Sequence, residues 1–259
     1  MALSGDPASL SALLAREGFI AAEEEAQELL AFAAGDTTVL EGAVQRRLTG
    51  EPLAWITGRV AFCGVEVHVD PDVYVPRWLS EPLVWRAVER LPAEGTAVDL
   101  CTGCGAIAKV LQVHRPRARV VATDLDPHAV RCAATNGVEV YRGDLFESVP
   151  RDLEGRVDVV VAVVPYVPTP DLPLLQRDTF TFETPLAYDG GSDGADILRR
   201  VLRDSRSFLR PGGSILLEVG GDQADLLRDE LAVLGYADLA ILTDEDGDMR
   251  GIDTTFCPA

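Results

Sequence analysis

The segment Ala97-Val-Asp-Leu-Cys-Thr-Gly-Cys-Gly-Ala-Ile-Ala108 decides the fold of the chain. Its apolar start predicts a buried strand, its glycines predict a tight turn, and its end predicts the first residues of a helix. Gly103 and Gly105 let the backbone approach a ligand that any side chain would block. Asp124, 21 residues after Gly103, ends the next predicted strand, where a carboxylate can bind the two hydroxyls of a ribose. Together these residues predict a nucleotide-like cofactor at the carboxyl end of the strand.

Two features of this loop bear on the kind of nucleotide it binds. A dinucleotide site usually has Gly-x-Gly-x-x-Gly, so that helix amides face a pyrophosphate, and Ala108 stands at the third position here, which some such sites accept. Asp99 precedes the turn, and a carboxylate there repels phosphate but attracts the ammonium of an amino acid. S-adenosylmethionine carries that ammonium, a ribose and no phosphate. The loop therefore favours S-adenosylmethionine over NAD.

The composition limits the other classes of protein. The 259 residues are 47% hydrophobic and 25% charged, which suffices for one large domain and a small one. A net charge of −19 disfavours tight, sequence-independent binding of nucleic acid. Apolar runs such as Val159–Val164 are too short to cross a bilayer, and the first residues lack the features of a signal peptide. With an odd number of cysteines as well, we expect a cytoplasmic protein with reduced thiols and no membrane partner.

The pair Cys101-x-x-Cys104 has a spacing that occurs in zinc and redox sites. No second such pair accompanies it, and His68, His114 and His128 are scattered singly. Both cysteines also lie inside the glycine loop, where small residues are needed. We therefore interpret the pair as structural and predict no metal site.

The hydrophobic pattern changes along the first part of the chain. Residues 1–58 have apolar residues spaced three and four apart, which predicts helices, the first of them capped by Ser9. Residues 60–69 alternate about a Cys63-Gly64 turn, which predicts a hairpin. We expect residues 1–75 to form a small helical domain that includes this hairpin.

From residue 76 onward the pattern predicts the larger domain. Strand and helix patterns alternate after Ser80, and Val157–Val164 is almost all valine, as in a central strand covered on both faces. Repeated β-α units predict an α/β fold with a doubly wound, mostly parallel sheet of seven strands over residues 76–259. In such sheets ligands bind outside the carboxyl ends of the strands.

Further segments form a recognisable set with the glycine loop. They are Glu51–Gly58, Val75–Arg77, Asp99–Gly105, Gly143–Phe146, Glu183–Gly191 and Arg210–Gly213. As a set they resemble the protein-glutamine N5-methyltransferases, which modify the Gly-Gly-Gln motif of peptide-chain release factors. The resemblance covers nearly the whole chain from about residue 9. It implies a class I, Rossmann-like methyltransferase that uses S-adenosylmethionine and recognises a protein substrate with its N-terminal helical domain.

The resemblance also assigns the residues of the cofactor site. Asp124 would hold the ribose, Leu125 would pack on the adenine and Asp144 would accept a hydrogen bond from the adenine amino group. Core packing is the alternative role of Leu125, and capping of a turn is the alternative role of Asp144. Cys101 replaces the first glycine of the usual loop, which should be tolerated if its backbone angles are ordinary. The predicted cofactor-binding residues are Asp99, Cys101, Gly103, Gly105, Asp124, Leu125, Asp144 and Leu145.

One segment departs from the family. The family's catalytic motif is Asn-Pro-Pro-Tyr, and this chain has Val163-Val164-Pro165-Tyr166 in its place. In the family the asparagine side-chain oxygen and a backbone carbonyl accept the N–H bonds of the substrate amide and align its nitrogen with the methyl group. Valine has no acceptor, and the loss of one such group typically costs about 10²–10³ in rate. The carbonyl of Val164 and the Pro165-Tyr166 platform should survive, so Val163 is the important change.

This departure leaves three hypotheses. The chain is an active methyltransferase acting on a release factor or another protein through glutamine, or a methyltransferase on the same scaffold with a small-molecule amine, hydroxyl or carboxylate as acceptor. The third hypothesis is a non-catalytic protein that still binds S-adenosylmethionine. Glu183 and Tyr166 could act as acid–base groups, but we expect a loop anchor and a pocket wall, respectively.

Overall fold

A computed structural model describes residues 6–175 and 179–258. These residues form two compact units. The smaller unit extends to Arg59 and includes Val69–Pro71, and the larger one contains Val60–His68 and the chain from Asp72 onward. In the described part of the chain, no helix combines the length and the apolar character needed to span a bilayer.

The smaller unit consists of helices. Asp6 caps the first helix by accepting a hydrogen bond from the amide of Ser9 at 3.0 Å, so the cap lies three residues before the one expected from the sequence. Leu10, Leu14 and Leu29 are completely or almost completely buried in the core of this unit. The helices are α1 (Pro7–Arg16), α2 (Ala22–Ala33), α3 (Thr37–Leu48) and α4 (Leu53–Thr57).

The larger unit begins with the hairpin. Strands β1 (Arg59–Phe62) and β2 (Val65–His68) are joined by Cys63 and Gly64, whose φ angles of 47° and 73° confirm the expected turn. Asn136 ties the hairpin to this unit, because its side chain accepts from the His68 amide at 2.9 Å and donates to the His68 carbonyl at 2.7 Å. The hairpin thus lies in the larger unit, whereas the pattern placed it with the helices.

The seven-stranded sheet confirms the expected α/β class. Five parallel strands have the order β5-β4-β3-β6-β7. β9 pairs antiparallel with β7, and the edge strand β8 pairs antiparallel with β9. Apart from Asp158, the residues of β6 are completely buried, as expected for a central strand. The strands are β3 (Thr96–Leu100), β4 (Arg119–Asp124), β5 (Glu139–Arg142), β6 (Val157–Ala162), β7 (Leu209–Leu217), β8 (Tyr236–Thr243) and β9 (Met249–Phe256).

Helices connect these strands in the expected alternation. The strand order reverses between β3 and β6, and the crevice outside the carboxyl ends at such a reversal is where open α/β sheets bind ligands. The helices are α5 (Glu81–Arg90), α6 (Ala106–His114), α7 (Pro127–Thr135), α8 (Thr179–Phe182), α9 (Asp196–Ser205) and α10 (Gln223–Val233).

Gly105 and Gly137 are a matched pair for testing the packing between α6 and α7. Their φ angles are 81° and 80°, but a Cβ atom on Gly105 would lie 3.0 Å from the Cβ of Ala133, whereas nothing lies within 4 Å at Gly137. Replacing Gly137 by alanine should cost about 1–2 kcal/mol through left-handed strain. Gly105→Ala should cost about 1–3 kcal/mol more through overpacking. Equal free energies of unfolding in urea would contradict this difference.

Candidate cofactor and acceptor site

Asp99 holds the glycine loop through hydrogen bonds to its side chain. Its side chain is buried, and Oδ2 accepts hydrogen bonds from the hydroxyl of Thr102 at 2.6 Å and from the amide of Ala108 at 3.1 Å. Oδ1 is also buried and has no hydrogen-bond partner among the residues that the structure describes. Burial raises the pKa of this carboxyl to about 7. A cation bound next to this carboxyl would favour its charged form.

Asp124 lies at the end of β4 beside the same loop. Its Oδ2 accepts from the amide of Gly103 at 2.8 Å, and its Oδ1 accepts from the amide of Asp126 at 2.9 Å. A carboxylate has about four acceptor positions, so Asp124 retains acceptor capacity for a ribose hydroxyl. The two amide bonds fix the carboxylate in place, while burial raises its pKa. This geometry fits the role expected from the sequence.

The residues expected near the adenine are arranged around the next strand end. Leu125 is 52% exposed, so the side chain is available to a planar ring rather than packed in the core. Asp144 accepts a hydrogen bond from Nη2 of Arg200 at 2.8 Å, a partner that the sequence did not indicate. Leu145 is buried, and its carbonyl accepts from the hydroxyl of Thr123 at 2.8 Å. The cofactor roles of these residues stay predictions.

Cys101 does not meet the condition under which its replacement of glycine should be tolerated. Its φ angle of 55° lies in the left-handed region, so its backbone angles are not ordinary for a residue with a side chain. A glycine adopts this conformation without the steric cost that a Cβ atom brings. The side chain is half-buried, and burial raises the pKa of the thiol. All five cysteines of the chain are free thiols in the structure.

The segment that follows β6 contains the residues that the sequence predicts for the acceptor side of the site. Val163 is half-buried and Val164 is buried. The hydroxyl of Tyr166 donates to Oε1 of Glu218 at 3.0 Å, and the carbonyl of Tyr166 accepts from Nε2 of Gln223 at 2.8 Å. Tyr166 is therefore fixed at both its ring and its backbone. The sequence did not single out Glu218 or Gln223.

Glycines of the 190–194 loop make this fixation possible. A Cβ atom on Gly190 would lie 2.8 Å from the Cα of Tyr166, and one on Gly194 would lie 2.3 Å from the Tyr166 carbonyl oxygen. The backbone of Val167 continues the contact, because its amide donates to the Tyr188 carbonyl at 2.9 Å. Gly190, near the end of the Glu183–Gly191 segment, and Gly194 thus have a packing role beside Tyr166.

Glu183 is a loop anchor, as expected. It is buried and accepts from Nη2 of Arg77 at 2.6 and 2.8 Å, and the hydroxyl of Tyr188 also donates to it. The amide of Val75 lies 3.4 Å from the same carboxylate. These bonds connect two of the motifs that carry the resemblance, Val75–Arg77 and Glu183–Gly191.

The fold and the site define a class I methyltransferase that uses S-adenosylmethionine. The protein family described as "FtsJ-like methyltransferase" matches this chain over residues 86–228. The fold is also similar to that of the ribosomal protein L11 methylase of Lactobacillus delbrueckii subsp. bulgaricus, with a TM-score of 0.51 and 17% identity over 73% of this chain and 83% of that one.

Curated relatives narrow this class to one family. The release factor glutamine methyltransferase of Geobacter sulfurreducens is 35% identical over 212 residues, which are 80% of this chain and 74% of that one. The enzyme of the same description from Moorella thermoacetica is 39% identical over 216 residues, 79% of this chain and 75% of that one. This chain belongs to the release factor glutamine methyltransferase family, and as a methyltransferase it does not fit the non-catalytic hypothesis.

Asp124 and Asp126 allow a paired test of the ribose assignment. Asp126 is two residues after Asp124, and its carboxylate has a structural role. It caps α7 by accepting a hydrogen bond from the amide of His128 at 2.8 Å. Asp124→Asn should weaken S-adenosylmethionine binding by about 1–3 kcal/mol, because it removes one acceptor of a buried hydroxyl pair. Asp126→Asn should leave the affinity unchanged. Calorimetric titration of both variants checks the assignment, which equal affinities would refute.

The strain at Cys101 gives a prediction for stability. Cys101→Gly should raise the free energy of unfolding by about 1 kcal/mol, because glycine adopts the left-handed φ angle of 55° without the Cβ penalty. Cys101→Ala is the control, since alanine removes the thiol but keeps the strain. If the two variants have the same midpoint in a denaturant titration, backbone strain is not the cause.

Proposed function

We propose that the protein transfers a methyl group from S-adenosylmethionine to the side-chain nitrogen of a glutamine in a peptide-chain release factor. The observation that carries this proposal is the similarity to relatives described as release factor glutamine methyltransferases, which extends over about four-fifths of the chain at 35–39% identity. The helical unit would recognise the protein substrate, and the reaction would take place in the cytoplasm, where release factors act.

The cofactor contributes the reactive carbon, and this chain holds it. When bound, S-adenosylmethionine supplies a methyl group on a positively charged sulfonium. Asp99 would face the ammonium of its methionine part, Asp124 would bind the ribose, and Leu125 and Asp144 would hold the adenine. The fit rests on three features: the buried oxygen of Asp99 that has no partner in the described part of the chain, the remaining acceptor capacity of Asp124 and the exposed side chain of Leu125. The protein would thus fix the donor by both charge and shape.

The acceptor side must align a poor nucleophile. The lone pair of an amide nitrogen is delocalised into its carbonyl, so catalysis depends on holding both N–H bonds in position. Tyr166, fixed by Glu218 and Gln223, would keep the acceptor segment rigid. Val163 lacks the side-chain oxygen that the family uses, and this is the specific feature that favours a second candidate, a methyltransferase with an amine, hydroxyl or carboxylate acceptor.

Methylation assays on a Gly-Gly-Gln peptide and on small amines and acids test the proposal. Tritium transferred from labelled S-adenosylmethionine to the glutamine of the peptide supports it. Transfer only to a small molecule supports the second candidate. Mass spectrometry of the peptide should locate the added methyl group on the glutamine side chain.

Restoring the missing acceptor should increase activity toward the peptide. Val163→Asn should raise kcat/KM about fivefold, because one added hydrogen bond to the substrate N–H contributes about 1 kcal/mol. Val163→Leu is the control, since leucine has a similar shape and no acceptor. No gain in the asparagine variant, with unchanged binding of S-adenosylmethionine, counts against a glutamine acceptor.

A further inference from the structure

Glu218 occupies the register position next to the lost asparagine. Parallel strands β6 and β7 pair Ala162 with Leu217, and the amide of Glu218 donates to the carbonyl of Ala162 at 3.1 Å. Val163 and Glu218 are the first residues after the ends of these strands. A carboxylate and the valine therefore stand at neighbouring positions of the sheet edge where the acceptor segment begins.

The carboxylate of Glu218 has one oxygen in use and one available. Its side chain is 5% exposed, and Oε1 accepts from the hydroxyl of Tyr166 at 3.0 Å. The side chain of Ser80 also hydrogen-bonds to the carboxylate. Oε2 is buried and finds no hydrogen-bond partner within residues 6–175 and 179–258. A buried acceptor without a partner is costly to maintain, so it calls for a functional explanation.

The groups around Glu218 leave it a base. Tyr166 and Tyr74 both have pKa values raised by burial, so they stay neutral beside it. Arg250 lowers the pKa of Glu218 by its charge, but this arginine is itself paired with Asp244. Burial dominates and raises the pKa of Glu218 above its usual value. A carboxylate of this kind is a stronger proton acceptor than one in water.

We propose that Glu218 provides the acceptor that Val163 cannot, binding one N–H of the substrate amide and taking up its proton. This inference rests on the proposed function. As the nitrogen–carbon bond forms, the carbon–sulfur bond breaks and its electron pair stays on sulfur. The N–H proton passes to Oε2, so the products are the N-methyl amide, the neutral thioether and a protonated Glu218. The group that accepts the substrate N–H bond would then lie at the end of β7 instead of the end of β6.

A purely structural role predicts a different result. If Glu218 only held the ring of Tyr166, then removing the tyrosine hydroxyl would have the same effect as removing the charge. Tyr166→Phe and Glu218→Gln therefore form the decisive comparison, because both weaken the 3.0 Å bond between them but only the second removes the base. Both variants are measured with full-length protein, a Gly-Gly-Gln peptide and saturating S-adenosylmethionine.

We expect Glu218→Gln to lower kcat about 100-fold. The affinity for S-adenosylmethionine should stay within twofold. The kcat of the wild type should fall as acid protonates Glu218, and this limb of the pH profile should be absent in the variant. Tyr166→Phe should lower kcat less than tenfold and keep the limb. Calorimetry in the presence of S-adenosylhomocysteine should show weaker binding of the peptide to Glu218→Gln.

A double variant tests whether the two positions serve the same N–H bond. Val163→Asn should restore Glu218→Gln to within about tenfold of the wild type, a larger gain than it gives in the wild-type background. Additive effects, an unchanged pH profile or equal losses in Tyr166→Phe and Glu218→Gln overturn the role of Glu218 and leave the proposed function intact. A wild type inactive on the peptide overturns both.

Folding of the variants is checked by circular dichroism and by binding of S-adenosylmethionine. If Glu218→Gln does not fold, Glu218→Asp replaces it, since aspartate keeps the charge and withdraws both oxygens by one methylene. That variant should lose kcat but retain the acid limb. Full activity of Glu218→Asp or loss of its acid limb overturns the proposal.

Discussion

The parallel pairing of β3 with β4 on one side and β6 on the other is the constraint on which the site depends. Because parallel strands end at the same edge, this pairing brings the glycine loop, Asp124 and the acceptor segment together although they are distant in sequence. The pairing of β6 with β7 extends the same edge to Glu218. The proposed donor and acceptor sides would thus be built on adjacent strands of one sheet.

The side chains at this edge divide into those that shape the backbone and those that remain available. Asp99 and Asp124 each accept bonds from loop amides or hydroxyls and retain acceptor capacity. Gln223 and the glycines of the 190–194 loop instead fix the backbone of Tyr166. Val163 differs from the family motif, and contacts from elsewhere in the chain fix Tyr166 three residues later.

The sequence predicts the features that depend on local pattern, and it misses those that depend on pairing. The strand–turn–helix around Gly103 and the hairpin about Cys63-Gly64 follow from residues a few positions apart. Glu218 could not be found in this way, because its proposed role rests on its register with Ala162, 56 residues earlier. Arg200, the partner of Asp144, was missed for the same reason. The sequence also did not predict the left-handed φ angle of Cys101, because a cysteine at this position does not signal the backbone conformation that the family's glycine would.

The side chain of Asn136 connects two parts of the larger unit that are far apart in sequence. Besides its bonds to His68 in the hairpin, it donates to the carbonyl of Cys104 in the glycine loop at 2.8 Å. One amide group thus couples the local opening of the hairpin to the local opening of the glycine loop, so that the two occur as a single cooperative event. Amide hydrogens of the hairpin become reporters of the state of the cofactor loop, and a ligand that orders the loop slows their exchange with solvent.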